Sequence, residues 1–174
     1  IFLLSSGNSR LYAEENRAFN FSTLNLNNGL SQLSVLDICQ DDKGYIWFAT
    51  RNGLNKYDGT HFTIYKHSNR DNNSLSDNHI TKLLPDNVRG GLWVGTNNGL
   101  NYLDPKTNLI TNYQLADYPE LPSNSILSLC LDKSGKLWVG TRLGLCFWQP
   151  ENKTFKLVTL DGQLDKESIT SLYI

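Results

Sequence analysis

The sequence has no methionine, five prolines and three cysteines in 174 residues, and its charges nearly cancel, with 16 Lys plus Arg against 17 Asp plus Glu. Each scarcity excludes something. A net charge of −1, with no basic stripe, removes the electrostatic case for nucleic acid or an anionic membrane surface as partner. No apolar run approaches the roughly 20 residues of a membrane span, so no membrane contact by this segment is expected. Histidine is confined to His61, His67 and His79, none at metal-ligand spacing, and H-E-x-x-H, phosphate-loop and G-x-S-x-G patterns are missing. The expectation is no metal, no cofactor and no catalytic residue. What is abundant points elsewhere. Twenty Asn and 13 Gly supply the positive-φ positions of tight turns, and 39% hydrophobic with 11% aromatic residues is enough for a packed core. The prior is an all-β protein.

A repeat organises the chain. Trp47, Trp93 and Trp138 stand 46 and 45 residues apart in W-F-A-T-R-N-G-L (47–54), W-V-G-T-N-N-G-L (93–100) and W-V-G-T-R-L-G-L (138–145). Upstream, L-S-Q-L-S-V (30–35), L-S-D-N-H-I (75–80), L-P-S-N-S-I (121–126) and L-D-K-E-S-I (164–169) each place Leu five residues before a β-branched residue. D-D-K-G (41–44) and D-K-S-G (132–135) precede two of the Trp strands as turns, and D-N-V-R-G-G (86–91) carries one extra residue. Each unit reads as four short strands: Ser34–Cys39, Tyr45–Thr50, Leu54–Tyr57 and Phe62–Tyr65 in the first copy. Their counterparts are Ile80–Leu84, Leu92–Thr96, Leu100–Leu103 and Ile110–Tyr113, then Ile126–Leu131, Leu137–Thr141, Leu145–Trp148 and Phe155–Val158. Four antiparallel strands at a period near 45 residues are the signature of a β-propeller blade.

The expected architecture is therefore a propeller fragment of about three and a half blades that is not a closed ring by itself. Residues 30–74, 75–120 and 121–163 form blades one to three, and 164–174 the first strand of a fourth. Residues 19–29 hold an N-terminal strand. The stretch 1–18, apolar at first and followed by Glu14 and Glu15, reads as a signal-peptide remnant or N-terminal extension. Trp47, Trp93 and Trp138 are expected to fill the wedge between blades, and Gly53, Gly99 and Gly144 to supply the turn into the third strand. Ala49, Gly95 and Gly140 are expected to keep one point thin enough for a neighbour's ring. Cys39 and Cys130 share a repeat position with Leu84 and are read as small apolar residues on non-adjacent blades, too far apart to bridge. Cys146 stands where Asn55 and Asn101 stand.

The W-[VF]-[AG]-T-x-x-G-L unit, with D-x-x-G before it and Y-D (57–58) or L-D-P (103–105) after it, resembles the two-component regulator propeller repeat over residues 21–174. The third copy departs from it, with Gln149 in place of Asp58 and Asp104. The resemblance implies the N-terminal part of a periplasmic sensor propeller of a hybrid two-component histidine kinase. Such a sensor recognises a saccharide signal and regulates polysaccharide-use genes. It also implies an N-terminal strand that closes the last blade of a full propeller. A fragment of this kind is not an enzyme, and the kinase would lie downstream.

Strand alternation places the turn between second and third strands on the same rim as the link from one blade to the next. That rim gathers Arg51, Asn52, Asn97, Asn98 and Arg142 from the turns and Asn78, His79 and Asn124 from the links, donors suited to sugar hydroxyls or carboxylates. Tyr118, in the 114–123 loop, is a candidate to stack on a sugar face. These nine are the candidate ligand-binding residues, with an oligosaccharide as partner in the full receptor. Open blade edges predict self-association, in an assembly of two or more copies, or an open arc stabilised by contacts. Two alternatives stand beside the sensor: a glycan-processing, sialidase-like propeller enzyme, because D-x-x-G-x-x-W is near the Asp-box of those proteins, and a propeller scaffold that binds protein.

Overall fold

The computed structural model describes residues 23–159 and 166–173. Twelve strands form three four-stranded antiparallel sheets, each in simple meander order. The first sheet holds β1 (Val35–Gln40), β2 (Ile46–Thr50), β3 (Gly53–Tyr57) and β4 (Phe62–Tyr65). The second holds β5 (Ile80–Asp86), β6 (Gly91–Thr96), β7 (Gly99–Asp104) and β8 (Leu109–Tyr113). The third holds β9 (Ile126–Leu131), β10 (Leu137–Thr141), β11 (Gly144–Gln149) and β12 (Thr154–Leu157). These are propeller blades in an open arc. Strand pairing superposes the copies: Cys39, Leu84 and Cys130 lie opposite Trp47, Trp93 and Trp138.

The core lies between the sheets. Because strand side chains alternate, each middle strand faces both neighbours. Trp47, Ala49 and Leu54 pack against Ile80, Leu83, Leu92, Val94, Leu103 and Ile110 of the second blade. Trp93, Leu100 and Tyr113 of that blade repeat the arrangement against Ile126, Leu137, Val139, Trp148 and Phe155 of the third. Trp47 and Trp93 are 1% and 2% exposed. The second seam adds aromatic pairs, a tilted Trp93–Tyr102 and an edge-on Tyr113–Trp148 with centroids 4.6 and 4.9 Å apart, each pair worth about 0.5–1.5 kcal/mol beyond its burial.

The expected thin point is real, but no ring approaches it. A Cβ on Gly95 would meet Ile126 Cγ2 at 2.8 Å, and one on Gly140 would meet Ile169 Cγ2 at 2.7 Å, so the β-branched residue that opens the next blade is what docks there. Side chains of each inner segment also reach the backbone of the next: Asp37 Oδ2 accepts from Leu83 N (3.0 Å), Thr81 Oγ1 donates to Ile126 O (2.7 Å), and Ser128 Oγ donates to Ile169 O (2.8 Å).

Ile169 thus occupies the opening position of a fourth blade, but residues 167–173 pair in no sheet, unlike the strand read from the sequence. A strand needs a partner to satisfy its N–H and C=O ladder, and no second strand of that blade is among the described residues. The signal-like stretch 1–18 and residues 19–22 of the N-terminal strand lie outside the described residues. Thr23 to Asn25 are not in a strand, and Leu26–Asn28 form one 3-10 turn capped by the Asn25 side chain.

Candidate ligand-binding rim

One rim of the arc carries the β2–β3, β6–β7 and β10–β11 turns together with the inter-blade links, as alternation of strand direction requires. Backbone bonds lock the two sets together. Gly53 N donates to Asn78 O (2.8 Å) and Gly99 N to Asn124 O (2.7 Å), each tying a turn to the link into the next blade. Asn97 N donates to His79 O (3.2 Å) and Arg142 N to Ser125 O (3.0 Å), tying a turn to its own blade's link. Ile169 N to Thr141 O (2.9 Å) continues the series. Gly53, Gly99 and Gly144 have φ of +117°, +130° and +135°, and a Cβ on Gly99 would meet Tyr113 O at 2.8 Å, so both conformation and space require glycine. The Thr of each W-x-x-T donates across its turn, Thr50 Oγ1 to Gly53 O and Thr96 Oγ1 to Gly99 O, both at 2.8 Å.

The nine candidate residues separate under this geometry. Asn52 donates to Ser31 O (3.3 Å) and accepts from Lys66 Nζ (3.1 Å). Asn78 Oδ1 accepts from His67 N (2.9 Å), and Asn124 Oδ1 accepts from Leu115 N (2.6 Å), so each holds the incoming loop. Asn124 Nδ2 donates to Asn98 Oδ1 (3.1 Å). Tyr118 lies inside the second seam's aromatic cluster, its ring 5.2 Å from Tyr113, 5.8 Å from Phe155 and 6.1 Å from Trp148. Arg51, Asn97 and Arg142 are exposed, His79 is half-buried, and none of these four side chains has a hydrogen-bond or ion-pair partner among the described residues.

Two networks were not foreseen. Each turn Asp caps its own backbone with one carboxylate oxygen and with its second oxygen accepts the Trp indole N–H. The distances are 2.9 Å for Trp47 to Asp41, 3.2 Å for Trp93 to Asp86 and 3.1 Å for Trp138 to Asp132. Bonds from Ser134 and from the Trp138 indole hold the Asp132 carboxyl well below the ordinary carboxylate range. The recurrence of an Asp six or seven residues before each Trp was the available signal. The second network explains a departure in the third copy. Asn55 Oδ1 accepts from Ser31 N and Asn101 Oδ1 from Ser76 N, both at 2.8 Å, with Ser31–Thr50 and Ser76–Thr96 hydroxyls paired beside them. The matching residue in the third copy is Pro122, which has no N–H to donate, and Cys146 replaces the Asn that would have accepted it. The Oδ1 of a buried Asn there would lack the Ser N–H it accepts in the other copies, and the small apolar thiol avoids that cost. Burial pushes the Cys146 thiol up to about 12. Burial, then the Asp37 and Asp41 carboxylates, push Cys39 to about 12. Both are unreactive packing groups, and all three cysteines are free.

On the opposite rim one contact persists by exchange of residues. Lys56 Nζ lies 3.6 Å over the Tyr45 ring, and in the third blade Lys136 Nζ lies 4.6 Å over Phe147, with cation and ring on swapped strands. Near it a cavity of about 350 Å³ is lined by Arg89, Lys136, Phe147 and Trp148, and Arg89 is held by Asp86 at 2.9 Å. No group of three potential metal ligands occurs among the described residues.

Comparison with known proteins agrees with this architecture. The family model for the two component regulator propeller matches residues 29–52 and 120–142. The chain is 47% identical over 62 residues to histidine kinase P4 of Formosa agariphila, a match covering 36% of the chain and 4% of that protein. It also resembles the extracellular domain of a hybrid two-component system of B. thetaiotaomicron, at 27% identity and TM-score 0.54, over 83% of the chain and 27% of that domain. Virginiamycin B lyase of Staphylococcus aureus, 15% identical with TM-score 0.51 over 73% of the chain and 42% of that enzyme, shares the fold alone. The chain spans a small part of each of these proteins.

Proposed function

We propose that this chain, built from two-component regulator propeller repeats, belongs to the periplasmic sensor of a hybrid two-component histidine kinase. In this reading it recognises a saccharide, regulates polysaccharide-use genes, and has no enzymatic activity of its own. The observation that carries the proposal is the division of labour within the repeat. Its recurrent Trp, Asp, Thr and Gly residues are engaged in seams and latches, while Arg51, His79, Asn97 and Arg142 on one rim remain without partners among the described residues. A rim of unengaged donors on a rigid scaffold suits recognition of hydroxylated ligands. Histidine kinase P4 and the two-component extracellular domain support the receptor context.

The test is to titrate the chain with neutral and acidic oligosaccharides by calorimetry and to analyse the same mixtures by chromatography. Saturable binding with intact sugars is the expected result, and turnover would instead establish a glycan-processing enzyme. The proposal extends to self-association through the blade faces left uncovered among the described residues, where Leu36 and Ile38 are exposed. Sedimentation should show a mass that rises with concentration, and a monomer throughout would refute that part.

A further inference from the structure

Resting on the reading of this rim as a saccharide site, we infer that the saccharide is acidic, a uronate or sulfated oligosaccharide whose acid groups are held by Arg51 and Arg142. The nine candidate residues divide into engaged and unengaged side chains. Asn52, Asn78, Asn98 and Asn124 each have at least one amide atom engaged in a bond that holds a turn or link in place. Lys66 donates to Asn52, and Gln114 Nε2 donates to Asn98 O at 2.8 Å. Among the nine candidate residues, the side chains left unengaged within the described residues are two guanidinium ions, one imidazole and one amide.

The two arginines are repeat-equivalent. Each follows the Thr of W-x-x-T, at the tip of β2–β3 in the first blade and of β10–β11 in the third, and Asn97 takes that position between them. Both are exposed, and the ion pairs among the described residues, Lys82–Asp37 and Arg89–Asp86, involve neither. The carboxylate nearest in sequence to this set, Asp77, accepts from His79 N at 2.7 Å and so caps its own link. A planar guanidinium presents paired donors that match carboxylate or sulfate oxygens, whereas a neutral sugar is read as well by amides, which this rim has used elsewhere. Two such ions flanking one blade suit an oligosaccharide with acid groups on separate residues, while Asn97 and His79 meet the hydroxyls between.

The test compares trigalacturonate, its fully methyl-esterified form, a sulfated chondroitin disaccharide and neutral cello- and xylo-oligosaccharides against the full chain by calorimetry. Arg51→Gln/Arg142→Gln serves as the variant, and its melting curve checks folding. The inference expects an acidic probe to bind and its neutral counterparts not to. Affinity should fall with added salt, and the double variant should weaken it by about tenfold or more at an unchanged melting temperature. Neutral sugars binding as tightly as acidic ones, or an unaffected double variant, would overturn the inference while leaving the saccharide reading intact. Binding by no saccharide of either kind would overturn both.

Discussion

The second and third blades share the W-V-G-T-x-x-G-L motif and differ in their surroundings. The second is covered on both faces, so Trp93 and Val94 are buried on opposite sides of one strand. Among the described residues the third is covered on one: Val139 is buried against the second blade, while Trp138 on the other face is only partly covered. The first blade shows the mirror case, since Ile38 is 56% exposed and Leu83, at the same repeat position, is 7% exposed. Burial of a repeat residue is set by its neighbour rather than by its own blade, which is the physical meaning of nearest-neighbour stabilisation in repeat architectures.

The comparison breaks first at the tryptophans. Trp93→Ala should cost about 3–5 kcal/mol in denaturant unfolding, through lost burial and a residual cavity, and Trp138→Ala less than half as much. Equal costs would show that the third blade's outer face is covered in solution. Leu83→Ala should cost about 2–4 kcal/mol, whereas Ile38→Ala should stay within about 0.5 kcal/mol under monomeric conditions. The third blade's substituted network gives a finer test. Pro122→Ser and Cys146→Asn should each destabilise singly, and together recover about 0.5–1.5 kcal/mol through the Ser N–H to Asn bond seen twice in the other blades. A purely additive cycle would mean that the two departures are unrelated.

The smallest effect is in acid. Asp132 is held below the usual carboxylate range by bonds from Ser134 and Trp138, so its contribution is complete above the unfolded value near 3.8. It is lost as pH falls below that value through the lower folded one. Asp58, lowered to about 2 by His61 and Thr60 bonds, behaves alike. Stability measured from pH 5 downward should therefore decline with a weaker slope in Asp132→Asn.

The fold was legible because the repeat fixes period, strand count and turn positions without knowledge of any contact. The seam tryptophans and the turn glycines follow from the same pattern. Two things were not legible. The partner of Gly95 and Gly140 is an Ile from the next blade, a contact between residues some 30 apart that one copy of the motif does not reveal. The rim could be located but not ranked, because an exposed Asn and an Asn clamping a loop look alike in sequence. The bonds to His67 N, Leu115 N and Asn98 Oδ1 separate Asn78 and Asn124 from the unengaged Asn97. Tyr118 shows the same limit, since a loop aromatic reads as a stacking platform until its neighbours Tyr113, Trp148 and Phe155 are known.

The most direct test of the account is an NMR titration of the chain with the saccharide that binds in calorimetry, because the two rims are distinguishable by their turn amides. The account predicts that amide and side-chain resonances of Arg51, His79, Asn97 and Arg142 shift with saturation, while the opposite-rim turns at Gly44, Gly90 and Gly135 stay unmoved. Shifts confined to those opposite turns, with Arg51 and Arg142 silent, would contradict it.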